Sequence, residues 1–226
     1  MKKQSNTKNR LKFTSVIFDF DYTLADSSTG EVECVNYSLR AMNLPPAANH
    51  NIHTMIGVSL PETFRRLTQD PNASRSDEFV QLFIRRADEV MLDYIVLFES
   101  VRPVVQQLVE NGLTLGIVST KYHRRIEAFL QREDLTNVFK IIVGGEDVPV
   151  HKPDPTGLLM AIDRLGSTSS RCVYVGDSVV DAETARRVSV PFIAVLSGVT
   201  RKDAFRDFAP LAIIDNLHSL PDFLLK

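Results

Sequence analysis

"FDFDYTLADS", residues 18–27, places Asp19, Asp21 and Asp26 within eight positions, directly behind an apolar run that starts "SVIF" at Ser15. Like charges this close repel, and taking them out of water costs several kcal/mol per ion unless something positive sits with them. A buried strand that ends in such a pair therefore asks for a cationic partner.

Working outward, the same kind of run recurs as "LTLGIVS" (113–119), "FKIIVGG" (139–145), "RCVYVGD" (171–177), "PFIAVL" (191–196) and "LAIID" (211–215). With "SVIFDF" (15–20), these runs are short and show little polar alternation, as strands covered on both faces do. Helical patterns separate them. "RPVVQQLVENG" has Pro103 near its start and Gly112 where a left-handed stop would sit, and "YHRRIEAFLQRE", "DPTGLLMAIDRLG" and "VVDAETARRV" follow the same logic. Strand and helix in alternation predict an α/β fold, a three-layer, Rossmann-like parallel sheet with right-handed crossovers and helices on both faces.

The rhythm breaks between Ser28 and Phe98, where only helical stretches occur: "EVECVNYSLRAMN", "SLPETFRRLTQ" and "SDEFVQLFIRRADEVMLDYIVLF". A purely helical insert placed after the first strand predicts a small helical bundle, 28–98, over the carboxyl edge of a core built from 11–27 and 99–226. Residues 1–10, "MKKQSNTKNR", read as a flexible tail, because no apolar core of a signal peptide follows the basic residues.

At 226 residues, 44% hydrophobic and 24% charged, the chain is the size of one domain with a modest insert. A net charge of −2 gives no reason to expect nucleic acid or an anionic membrane as partner. Cys34 and Cys172 lack metal-type spacing and read as reduced core thiols, which together with the missing apolar span suggests a cytoplasmic protein, monomeric or homodimeric.

The unusual polar residues all fall at strand ends: Asp19 and Asp21 after the first, Ser119, Thr120 and Lys121 after the second, Asp177 and Asp181 after the fourth, with Lys152 in the loop after the third. Alone, each has a structural explanation: "DxD" as a solvated turn, "GDS" as a helix N-cap, "KPDP" as a rigid turn. In this order and at one sheet edge they form a composite. Asp19, Asp21 and Asp177 supply hard oxygen ligands suited to Mg²⁺, and Lys152, the Ser119 hydroxyl and turn N–H groups could hold the remaining oxygens of a phosphate.

These motifs resemble the haloacid dehalogenase superfamily phosphatases: "DFDYT" is similar to the first family motif, "GIVST" to the second, "HKPDP" to the third and "GDSVVD" to the fourth. The helical insert is similar to the family's C1-type cap, and "LADS", "GDSVVDAETA" and "LSGVT" look most like the phosphoglycolate phosphatase group and its pyrophosphatase neighbours. The resemblance implies that Asp19 is the nucleophile forming an aspartyl-phosphate, that Asp21 is the general acid and base, and that Ser119 and Lys152 orient nucleophile and phosphoryl group. It further implies phosphate contacts from Thr23 and Thr120. Mg²⁺ would be held by Asp19, the Asp21 backbone carbonyl and Asp177, with Asp181 as an indirect ligand or a partner of Lys152. Asp21 and Thr23 speak against dehalogenases, phosphonoacetaldehyde hydrolases and sugar phosphomutases, while Tyr22 replaces a common glycine and Thr120 stands where many relatives carry Asn. The implied substrate is a small phosphorylated metabolite, phosphoglycolate first, with an inorganic pyrophosphatase or a β-phosphoglucomutase-like sugar phosphomutase as the alternative. In the insert, Gly57, the helix start near Ser59, His53 and Arg65 are candidates for contacting it.

Overall fold

A computed structural model describes residues 11–70 and 74–225, so the tail assigned to residues 1–10 lies outside the described residues. In chain order the first half contains β1 (Ser15–Phe18), β2 (Ala25–Asp26), α1 (Ser28–Ala41), α2 (Asn49–His53), α3 (Leu60–Thr68), α4 (Ser76–Tyr94) and β3 (Val96–Leu97). The second half alternates α5 (Val101–Glu110), β4 (Thr114–Val118), α6 (His123–Arg132), β5 (Phe139–Val143), α7 (Thr156–Arg164), β6 (Cys172–Gly176), α8 (Val179–Arg187), β7 (Phe192–Val195), β8 (Ala212–Ile214) and α9 (Leu220–Leu224).

Six strands form one parallel sheet in the order β5-β4-β1-β6-β7-β8. Side chains alternate between its two faces. Val16, Phe18, Leu115, Ile117, Val173 and Val175 join the core formed with α5, α6 and α9, whereas Ile17, Val118, Cys172 and Tyr174 join the core formed with α7 and α8. Both faces are covered, which is why these strands read as continuous apolar runs. Both cysteines are free and buried, and burial pushes the Cys34 thiol up to about 12.

Because β1 sits between β4 and β6, it is the point where the strand order reverses, and ligand sites of open α/β sheets lie at the carboxyl ends of such strands. The first strand stops at Phe18, earlier than the run 15–20 suggests. Asp19 keeps one ladder bond to Val175, but the Phe20 carbonyl then accepts the N–H groups of Thr23, Leu24 and Ala25, curling the chain into a tight turn. Tyr22 sits in that turn at φ 59, the left-handed region that explains why glycine is common at this position.

The insert departs from the purely helical reading in one respect. Ala25–Asp26 pairs antiparallel with Val96–Leu97, so the two chain crossings between sheet and insert run side by side as a two-stranded ribbon. Two residues per strand are too few to show a period in the sequence, and Val96 is solvent-exposed. Within the insert α4 packs against α1 and α3, with Phe79 buried between Phe64 and Phe83 at ring distances of 5.3 and 6.2 Å. Burying such a phenyl ring stabilises by about 2–3 kcal/mol. Side chains from α6 fasten the insert down: Arg125 donates to the Ile84 carbonyl at 2.9 Å and to Asp88 at 2.7 Å, Arg124 to Asp88 at 2.6 Å, and Arg132 to the Leu92 and Ile95 carbonyls.

Candidate active site

The register aligns the carboxyl ends of β1, β4 and β6, so Asp19, Ser119 and Asp177, each the first residue past its strand, meet at one edge. Lys152 arrives from the loop after β5, next to a cis peptide bond to Pro153, and its ammonium reaches Asp19 Oδ1 at 2.8 Å and Asp181 Oδ1 at 2.6 Å. Asp19, Asp177 and Asp181 each offer an oxygen within 4.8 Å of the others, and all three are buried.

The charge balance is incomplete, since Lys152 is the one cation bonded to this trio among the described residues. Burial pushes the Asp19 carboxyl up to about 7, with Lys152 pulling it down and Asp181 and Asp21 pushing it further up. Asp177 is driven well above the carboxylate range by burial and then by Asp181 and Asp19. Burial opposes the charge on Lys152, yet Asp181 and Asp19 hold its ammonium well above the usual lysine range. Two buried acids whose ionisation is opposed by burial and by neighbouring carboxylates are stabilised as anions by a further positive charge. A divalent cation with hard oxygen ligands fits these residues.

Asp181 is the least available of the three. Its Oδ1 already accepts from Lys152 and from the Tyr174 hydroxyl at 2.9 Å, and its Oδ2 from the Ser178 N–H at 3.2 Å and hydroxyl at 2.5 Å. It belongs to a capping box at the start of α8 and anchors Lys152. Asp177 carries none of these side-chain donors and is the freer ligand. The Asp21 carboxylate stands apart from the trio, with Oδ1 accepting from the Ser27 hydroxyl at 2.6 Å and ion-paired with Lys121 at 3.0 Å.

Between insert and sheet edge lies a cavity of about 200 Å³. Asp21, Thr120, Lys121, Arg125 and His151 line it from the core, and Glu31 with apolar residues including Ile52, Met55, Val58 and Phe83 from the insert. The loop from Gly57 to Leu60 at the start of α3 reaches it, and the Thr120 hydroxyl donates to the Gly57 carbonyl at 3.4 Å. His53 and Arg65 do not line it; Arg65 is tied to Glu62 at 2.5 Å on the outer surface. Thr23 is also outside the lining, fully buried, and its hydroxyl is the one buried side-chain polar atom without a hydrogen-bond partner among the described residues. Ser119 is buried beside Lys152, and its hydroxyl accepts the Lys121 N–H at 3.2 Å.

Four further residues belong to this neighbourhood. The Tyr174 hydroxyl accepts from Lys152 at 3.1 Å and can donate to Asp181 or to the Val118 carbonyl, so it steadies the lysine. A tyrosine in an apolar strand looks like core, and only its lone hydroxyl hinted otherwise. Ser27, Lys121 and Glu31 surround Asp21. Lys121 was visible as a strand-end residue, but its pairing with Glu31, ninety positions away, carries no local signal.

A parallel sheet with three buried acids and a lysine at its switch point, beneath a helical insert, defines an α/β protein with its site at the carboxyl edge of the sheet. The chain matches the haloacid dehalogenase-like hydrolases over residues 16–195 and belongs to that family. A haloacid dehalogenase-like hydrolase structure from Bacteroides fragilis is 42% identical, covers 92% of this chain and all of its own, and superposes with a TM-score of 0.90. The phosphoglycolate phosphatase of Salmonella paratyphi A is 29% identical over 91% of this chain and 90% of its own length. A haloacid dehalogenase-like protein of Streptococcus pneumoniae, 20% identical with a TM-score of 0.84 over 94% of this chain and 99% of its own, shares the fold. The protein is therefore an enzyme, a hydrolase of the phosphatase kind within this superfamily. Among the described residues no helix is long and apolar enough to cross a membrane.

Proposed function

We propose that the chain is a Mg²⁺-dependent phosphatase acting on a small phosphorylated metabolite, phosphoglycolate before others, through an aspartyl-phosphate on Asp19. The observation that carries this reading is the buried Asp19 carboxylate, oriented by Lys152 at 2.8 Å beside an Asp177 that no cation pairs with among the described residues. Asp19 and Asp177, with the Asp21 backbone carbonyl, would hold the metal. When bound it neutralises charge that would otherwise repel an anionic nucleophile from an anionic phosphate.

In this mechanism an Asp19 oxygen forms the bond to phosphorus as the bond to the leaving oxygen breaks, and Asp21 gives that oxygen its proton. Asp21 then takes a proton from the water that attacks phosphorus, and Asp19 departs as carboxylate with release of phosphate. Lys152 orients Asp19 and balances its charge, while Ser119 and Thr120 present hydroxyls near the phosphoryl group. The helical insert acts as the cap, limiting leaving-group size and excluding bulk water. A cavity of about 200 Å³ between insert and sheet edge supports a short leaving group. The curated relatives named phosphoglycolate phosphatase support the choice of first substrate.

The test is phosphate release with Mg²⁺ from phosphoglycolate, pyrophosphate, sugar phosphates and nucleoside monophosphates, run beside Asp19→Asn. Turnover of phosphoglycolate above the rest, abolished in the variant and by EDTA, is the expected result. Preference for another compound refutes the substrate, and an active Asp19→Asn refutes the nucleophile.

A further inference from the structure

Asp21 is held from both sides of the boundary between sheet and insert. Its Oδ1 accepts a hydrogen bond from the Ser27 hydroxyl at 2.6 Å and is ion-paired with the Lys121 ammonium at 3.0 Å. No hydrogen bond from the described residues reaches Oδ2. Ser27 lies in the crossing that leads into α1, and Lys121 follows β4. The lysine is fixed in turn: its N–H donates to Ser119 Oγ, its carbonyl accepts the Gly145 N–H at 3.0 Å, and its ammonium lies 5.9 Å from the Phe20 ring centre.

The third member comes from the insert. Glu31, in the first turn of α1, places Oε1 3.6 Å from the Lys121 ammonium, whose side chain is only 3% exposed. A buried lysine with two carboxylates around it is directional, because each carboxylate limits where the ammonium can go and water does not compete. Asp21, Lys121 and Glu31 all line the cavity where a leaving group would sit.

We propose that Lys121, held in place by Glu31, is a positioning residue for Asp21: with Ser27 it occupies Oδ1 and turns Oδ2, the oxygen left free, toward the leaving group for proton exchange. The inference rests on Asp21 being the general acid and base. Glu31 belongs to the cap and Lys121 to the core, so the complete arrangement exists only with the cap seated on the sheet. Proton transfer is thereby tied to closure, and an open enzyme keeps the Asp21–Lys121 contact but lacks Glu31 to fix the lysine in it.

The test compares two small substrates with leaving groups of similar size, neither of them charged before cleavage. Ethyl phosphate expels an alkoxide that needs a proton, whereas acetyl phosphate expels acetate, which does not. The ratio of kcat/KM for ethyl phosphate to that for acetyl phosphate, measured with Mg²⁺, isolates proton delivery in the bond-breaking step. General acid catalysis is worth about 100-fold or more, so Lys121→Met should lower this ratio by about that factor and Glu31→Gln by about tenfold, with Lys121→Arg recovering most of it. Asp21→Asn is the reference. If its ratio falls and that of Lys121→Met does not, the positioning role is overturned while Asp21 keeps its assignment; if its ratio stays level, the assignment of Asp21 itself fails. A crystal structure of Lys121→Met gives a readout independent of turnover. An Asp21 carboxyl rotated away from Ser27, or split between rotamers, is expected, and one left unmoved overturns the proposal.

Discussion

Gly198 has no room for a methyl group. It lies in the loop after β7, which is pinned to the active-site turn by the Ser197 hydroxyl donating to the Tyr22 carbonyl at 2.5 Å. A Cβ built at residue 198 would meet Asp177 Oδ2 at 1.9 Å, Asp177 Cγ at 2.8 Å and Tyr22 Cβ at 3.1 Å. Real Cβ contacts essentially never fall below 3.0 Å, so the carboxylate oxygen must retreat by about 1.1 Å in Gly198→Ala. Asp177 is the freest of the three acids to take the proposed metal, and a displacement of about 1 Å at a reacting centre costs on the order of 100-fold in rate. The expected phenotype is a loss of that order in turnover at low Mg²⁺, partly recovered as Mg²⁺ is raised, with an unchanged circular dichroism spectrum. Phosphate release against Mg²⁺ concentration measures it. Gly112→Ala is the control for backbone effects: Gly112 has φ 85 and nothing within 4 Å of its Cβ position, so it should lose about 1–2 kcal/mol of stability and leave the Mg²⁺ dependence alone. A Gly198→Ala enzyme with wild-type Mg²⁺ half-activation and turnover would refute the placement of Asp177 in the metal site.

The metal-free protein should become less stable as pH rises. Asp19 is held neutral in the fold up to about 7 against 3.8 for a free side chain, so between these values the unfolded chain loses a proton that the folded one keeps, a destabilisation reaching about 4 kcal/mol by pH 8. Asp177 adds to it with the same sign. Denaturation midpoints in EDTA should therefore fall between pH 5 and pH 8, and Mg²⁺ should flatten the decline; a midpoint that rises with pH in EDTA contradicts the incomplete charge balance. In the insert, Phe79→Ala removes a fully buried ring from between Phe64 and Phe83 and should cost about 3–5 kcal/mol in urea denaturation, and a loss below about 1 kcal/mol would show that the three rings are not its core.

What the sequence discloses of this protein divides along a physical line. The sheet is legible because covered parallel strands leave continuous apolar runs, and the register of β1 with β4 and β6 then forces Asp19, Ser119 and Asp177 to one edge whatever else the chain does. Lys152 is legible for a related reason, since "HKPDP" stands in the connection between an apolar run and the helix that follows it. The ribbon of Ala25–Asp26 with Val96–Leu97, the contact of Lys121 with Glu31 and the clamp of Arg125 on Asp88 are not legible, because each depends on how the insert lands on the sheet. No period or spacing encodes that docking; it follows from surfaces that exist only after both parts have folded. The Thr120 hydroxyl on the Gly57 carbonyl is of the same kind. The proposed nucleophile and metal ligands thus sit at strand ends whose geometry the pattern dictates, while the residues around Asp21 and the proposed leaving-group cavity sit where two folded surfaces meet. Substitutions at the first group should remove the reaction, and substitutions at the second should change which phosphate ester is cleaved and how well its leaving group is protonated.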